Sequence, residues 1–198
     1  MPISRERFEQ GMTYEQYRAQ MTRNRERFDE TERSVQIAPE DVAQFAGLPQ
    51  TLNVAVLAED WCGDVIANLP ILGRLAKESG KLNLRVFLRD QNLDVMDQYL
   101  NRGEFRSIPV FVFMGPDFKE IGVFTERPDS VTELRARRRR EIFEQYPEFG
   151  QPDAPVDQLP EDVRARLQGM LADMRTETRG FADREVVREL KEIIARAA

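Results

Sequence analysis

The sequence predicts an α/β fold, a central mixed β-sheet flanked by helices, with extra N- and C-terminal helices. Three observations carry this. Two apolar stretches of strand length, Leu52–Ala58 and Leu82–Leu88, bracket a helical pattern, the order of a parallel βαβ unit. Two more, Ile108–Met114 and Lys119–Thr125, are joined by Gly115, Pro116 and Asp117, whose turn chemistry and spacing suit an antiparallel hairpin. Helical stripes of apolar residues lie on either side of this region.

In chain order, residues 13–33 open with Thr13 and Gln16 at capping-box spacing. Tyr14, Tyr17, Met21 and Phe28 then appear among many charges, so one amphipathic helix is expected within an N-terminal helical arm, residues 1–35. Leu52–Ala58 is almost continuously apolar, as suits a strand covered on both faces. From Asp64 to Ser79, Ile66, Leu69, Leu72 and Leu75 recur every three residues; Gly80 is the stop signal and Pro70 a kink inside the helix. After Leu82–Leu88 comes a short helix over Asp94–Leu100. Residues 36–127 thus form the expected core.

Residues 128–182 read as a helical insertion. Ser130 and Glu133 form a second capping box for a helix running through Arg135 to about Tyr146, and Pro147, Pro152, Pro155 and Pro160 give 147–160 the composition of a linker. Val163, Leu167, Met170, Leu171 and Met174 make one further stripe. Val186, Val187, Leu190, Ile193, Ile194 and Ala197 make another, in a final helix, 183–198, expected to pack on the core.

Composition removes much chemistry. There is no histidine, which excludes a Ser-His-Asp triad, a Cys-His pair and every histidine-bearing metal or haem site. One cysteine excludes an internal disulfide, no carboxylate cluster has metal-ligand spacing, and no glycine-rich loop suits a nucleotide; no metal or cofactor is expected. A net charge of −6 argues against general binding to nucleic acid or anionic membrane. The opening residues are polar and charged, and the apolar runs are too short to span a bilayer, so a cytoplasmic location is expected, where a lone thiol stays free.

Cys62 stands out. It follows a central strand and opens the next helix, where unpaired backbone N–H groups and the positive end of the dipole favour thiolate. Trp61 can shield one side of it, and Gly63 permits close approach of another backbone. The plainer reading is a buried cysteine acting as a small hydrophobe.

At this point the chain resembles the thioredoxin superfamily over residues 36–127 and the last helix. Trp61-Cys62-Gly63 stands where that family has Trp-Cys-Gly-Pro-Cys, Pro70 matches its kink proline, Ile108-Pro109 its cis-proline facing the cysteine, and Gly122 a frequent glycine of the last strand. The sequence looks closest to a bacterial subgroup with Trp-Cys-Gly-Asp in the active loop, Arg-Asp-Gln-Asn after the second strand (Arg89 to Asn92) and Arg-Ser-Ile-Pro-Val (Arg106 to Val110). The resemblance implies Cys62 as nucleophile, Trp61 and Ile108 as apolar walls, and Pro109 presenting backbone to an extended substrate. Three departures stand against it: Val65 replaces the second, resolving cysteine, Val56 the buried carboxylate, and Asp64 the proline, with a charge that opposes the thiolate.

Two functions follow as expectations. One is a monothiol redox protein in which Cys62 forms mixed disulfides with a low-molecular-weight thiol or a partner protein; the alternative is a redox-inactive binding or scaffold domain. Asp90 and Asn92, at the carboxyl end of a central strand, are further site-lining candidates beside Gly63, Asp64 and Val65, although both are also ordinary turn residues. The basic run Arg135 to Arg140 reads as a solvated helix with Glu133, Glu141 and Glu144 in pairing range rather than as a polyanion site. Glu59-Asp60 and Glu161-Asp162 read as a loop and a helix start. Apolar stripes left over at both ends suggest a homodimer.

Overall fold

The structure, a computed structural model, describes residues 3–152 and 156–197; Met1, Pro2, Pro155 and Ala198 lie outside the described residues. Residues up to Arg127, together with Val186 onward, form one compact unit, and Pro128–Glu185 form a second.

In the first unit β1 (Leu52–Ala58), β2 (Leu82–Leu88), β3 (Val110–Met114) and β4 (Glu120–Thr125) make a mixed sheet in the order β2-β1-β3-β4. β1 runs parallel to β2, pairing Leu52 with Leu82 and Ala58 with Leu88. β3 is antiparallel to β1, with Leu57 opposite Val110, and β4 is antiparallel to β3, with Val110 opposite Thr125. The last residues of β1, β2 and β4 and the first of β3 therefore meet at one end of the sheet, and the segments leaving that end carry the site.

β3 starts at Val110 rather than Ile108 because Pro109 has no N–H to give to the ladder; the Ile108–Pro109 peptide is cis. β4 starts one residue later than expected, since the Lys119 carbonyl accepts from Gly115 N and closes the hairpin loop instead.

α1 (Arg5–Glu9), α2 (Tyr14–Gln20), α3 (Arg25–Ser34) and α4 (Pro39–Ala46) precede the sheet. The capping box at Thr13 and Gln16 forms. The single helix expected over 13–33 does not: it divides into α2 and α3 around Asn24, whose φ is 54°. Asp60 is the cause, since its Oδ2 accepts from the backbone N–H of Thr22 at 2.7 Å and of Arg23 at 2.9 Å, taking the two donors that would continue α2. Residues 3–35 are not peripheral. Phe8, Tyr17, Met21 and Phe28 are buried in one cluster with Val54, Val56 and Phe111 of the sheet.

α5 (Gly63–Ser79) crosses between β1 and β2, with Pro70 inside it and Gly80 ending it at φ 65°, a left-handed conformation that glycine adopts without strain. Its face is buried from Val65 to Leu75. Gly73 lies so close to the Tyr14 ring that a Cβ there would sit 2.6 Å from it. The helix expected over Asp94–Leu100 is shorter, α6 (Leu93–Met96), because the backbone tightens after it: Gln98 and Tyr99 N–H donate to the Val95 and Met96 carbonyls three residues back rather than four.

The second unit contains α7 (Asp129–Gln145) and α8 (Glu161–Glu177). Phe143 and Phe149 pack with Leu167, Leu171 and Met174. Phe149, inside the stretch with linker composition, is thus a core residue. The capping box expected at Ser130 is absent: α7 begins at Asp129, and the Ser130 hydroxyl donates to Glu185 at 2.6 Å. In the arginine run, Arg138 pairs with Glu141 and Glu177, and Arg139 donates to the Pro152 carbonyl.

α9 (Arg179–Ile194) starts earlier than the expected 183. From Val186 on it belongs to the first unit, where Val186, Val187, Leu190, Ile193 and Ile194 join the main cluster and Lys191 pairs with Asp41 at 2.6 Å. The stripes that suggested a homodimer, 14–28 and 186–194, are therefore packed within the chain's own core.

Candidate functional site around Cys62

Cys62 is the residue at the N-terminal cap of α5, half-buried. Its Sγ donates to the Ile108 carbonyl at 3.4 Å, which sets the sulfur beside the Ile108–Pro109 bond across the end of the sheet. Ile108, Pro109 and Val65 are buried, and Gly63 has nothing within 4 Å of where a Cβ would stand, so the approach over that residue is open. Among the described residues, none fills that space.

The sequence leads one to expect a helix terminus that favours thiolate. That contribution is present: backbone N–H groups of Val65 and Asp64 act on the sulfur and lower its pKa. Burial outweighs them, and the charges of Asp64 and Glu126 act in the same direction as burial, so the thiol is raised above its ordinary range.

Trp61 is 42% exposed, with the Arg89 guanidinium 4.8 Å over its ring. Arg89 also pairs with Asp90 at 2.7 Å and donates to the Arg106 carbonyl at 3.2 Å, joining the loops after β1, after β2 and before β3. Trp61 and Phe105 lie in the first and last of these loops and Leu93 opens α6 just after the second; the three are the exposed large hydrophobic residues among those described. Of the remaining candidates, Asp90 gives its backbone N–H to Glu59 Oε1 at 2.9 Å, whereas Asn92 accepts from Arg7 and donates to the Leu88 carbonyl. Both are engaged in holding the loop.

Several residues at the site carry no local signal in the sequence. Glu126 has φ 60°, unusual for a residue with a side chain. Its N–H donates to the Pro109 carbonyl at 2.7 Å, its own carbonyl accepts from Asn68 at 2.8 Å, and its Oε2 accepts from Asn101 at 3.0 Å. Arg127 bridges Glu126 and Asp64. Glu59, read from sequence as part of a loop, is buried, and burial is the chief cause of its raised pKa. Tyr17 is fully buried with no hydrogen-bond partner for its hydroxyl. Burial first, then the charges of Asp60, Glu59 and Cys62, raise its pKa.

The Thioredoxin family matches residues 11–141. The chain belongs to the thioredoxin family. Its four-stranded sheet and flanking helices are those of a thioredoxin-like fold, and solved structures agree. A protein of unknown function from Pseudomonas aeruginosa superposes with a TM-score of 0.63 at 15% identity, and an HIV epitope-scaffold with a TM-score of 0.64 at 18%; each alignment covers 96% of both chains. No curated protein matches the sequence. Among the described residues of this thioredoxin-family chain, no helix is long and apolar enough to cross a membrane, and no three potential metal ligands gather.

Proposed function

We propose that this thioredoxin-family protein is a monothiol redox protein of the Trp-Cys-Gly-Asp type in which Cys62 is the sole nucleophile. The position of Cys62 Sγ at the α5 cap, 3.4 Å from the Ile108 carbonyl and beside an open approach over Gly63, carries the reading. The Cys62 thiol gives its proton to water and the thiolate attacks one sulfur of a disulfide; the new S–S bond forms as the old one breaks, and the leaving thiolate takes the electron pair and then a proton from water. Val65 cannot resolve the product, so an external low-molecular-weight thiolate attacks the bound partner's sulfur, leaving a new disulfide and releasing Cys62. Such a thiol pool belongs to a reducing compartment such as the cytoplasm. The exposed Trp61, Leu93 and Phe105 favour a protein partner.

The test is exchange with a small disulfide, the parent against Cys62→Ser. Turnover should vanish in the variant; equal activity in both would end the reading. A second reading, a binding domain without turnover, is favoured by one observation, that burial pushes the Cys62 thiol up. In a pull-down it requires Cys62→Ala to retain every partner of the parent, whereas the monothiol reading requires thiol-dependent capture.

A further inference from the structure

Asp64 and Glu126 reach Cys62 from different elements, the first turn of α5 and the segment leaving β4, and both disfavour its thiolate. Both are held close to it. Asp64 is two residues along the helix from the cysteine, and Glu126 is held at backbone N–H, backbone carbonyl and carboxylate in a conformation that costs strain. Arg127 Nη2 donates to Asp64 Oδ2 at 2.6 Å and also to Glu126 Oε1, so a single guanidinium group serves both carboxylates.

We propose that Arg127 is the positioning residue of this site: by bridging Asp64 and Glu126 it compensates the two carboxylate charges that act on the sulfur and keeps Cys62 available as a nucleophile. The inference deepens the monothiol reading and rests on it for its biological use. The other polar groups around Cys62 are engaged elsewhere or uncharged. Glu59 accepts from Asp90 N, Asp60 from Thr22 and Arg23, Arg89 is paired with Asp90, and the Tyr17 hydroxyl is neutral. A change at Arg127 therefore acts on the Asp64 and Glu126 charges and leaves these contacts in place.

The experiment is the pH profile of Cys62 alkylation by iodoacetamide, an uncharged reagent, on the full chain. Arg127→Ala should move the midpoint up and slow the reaction at pH 7 by about 3- to 10-fold, since each pK unit changes the thiolate fraction about tenfold. Arg127→Lys should recover most of the rate. Removing the carboxylates as well, in R127A/D64N/E126Q, should return it to the parent's value or above, which a merely structural role for Arg127 would not allow. Arg127→Gln, which keeps donors but not charge, makes the same test if the alanine variant unfolds. An R127A profile that superimposes on the parent's, or a triple variant as slow as R127A, overturns the proposal. Failure of the parent to exchange disulfides while R127A still shifts the profile would sink the monothiol reading and support the role of Arg127.

Discussion

Replacing Asp60 by alanine should loosen the first unit where the N-terminal segment meets the cysteine loop. The carboxylate accepts from Thr22 N at 2.7 Å, Arg23 N at 2.9 Å and Thr22 Oγ1 at 3.3 Å. Thr22 and Arg23 are exposed, so water recovers their donors in the variant, and the loss is the net worth of the bonds rather than a full desolvation cost. Two good charge-assisted bonds and one long one give a loss of about 2–3 kcal/mol. For a chain of this size that lowers the thermal midpoint by roughly 4 to 12 °C. Trp61 is the single tryptophan and adjoins Asp60, so its fluorescence reports the transition locally. Asp60→Asn, which keeps an acceptor oxygen, should fall between parent and alanine variant. A D60A midpoint within 1 °C of the parent would refute the reasoning, because Asp60 would then be incidental to the division of α2 from α3.

Three further outcomes are expected. Glu59→Gln should stabilise the protein at neutral pH: burial raises the carboxyl's pKa, so folding favours its protonated form, and that contribution is lost as pH rises through the folded pKa; denaturant midpoints should show the gain shrinking toward acid pH. The same sign applies to Cys62, whose raised thiol makes the parent lose stability relative to Cys62→Ser as pH climbs through and above the ordinary thiol range, read from urea melts across that range. Gly73→Ala should cost about 1–3 kcal/mol in urea denaturation, because its methyl must displace the Tyr14 ring.

The two parallel strands were the most legible, because Leu52–Ala58 and Leu82–Leu88 are mainly apolar stretches of strand length on either side of a helical pattern, and they coincide with β1 and β2. Cys62 was legible because strand, Trp-Cys-Gly and helical period are contiguous. The division after Met21 was not, since its cause, Asp60, lies 38 residues from Thr22. Nor were Glu126 and Arg127: nothing around them is unusual in sequence, and they matter only because the antiparallel return of β4 sets Thr125 opposite Val110. Periodicity found Tyr17 on the buried face, but it says nothing of where a hydroxyl at the ring's far end will lie. Ser130 and Glu133 matched a capping box in spacing alone; the helix starting at Asp129 places Ser130 inside its first turn.

The 128–185 unit interrupts the first unit in the chain, and this sets an order of events during synthesis. Sheet, cysteine loop and Glu126 have all left the ribosome before Val186 to Ile194, yet those late residues supply part of the cluster that covers the sheet, with Ile193 Cγ2 3.1 Å from where a Cβ on Gly122 of β4 would stand. A nascent chain paused anywhere between Arg127 and Val186 therefore carries the sheet on an unfinished scaffold, with the apolar surface that Val186 to Ile194 cover in the finished protein still open.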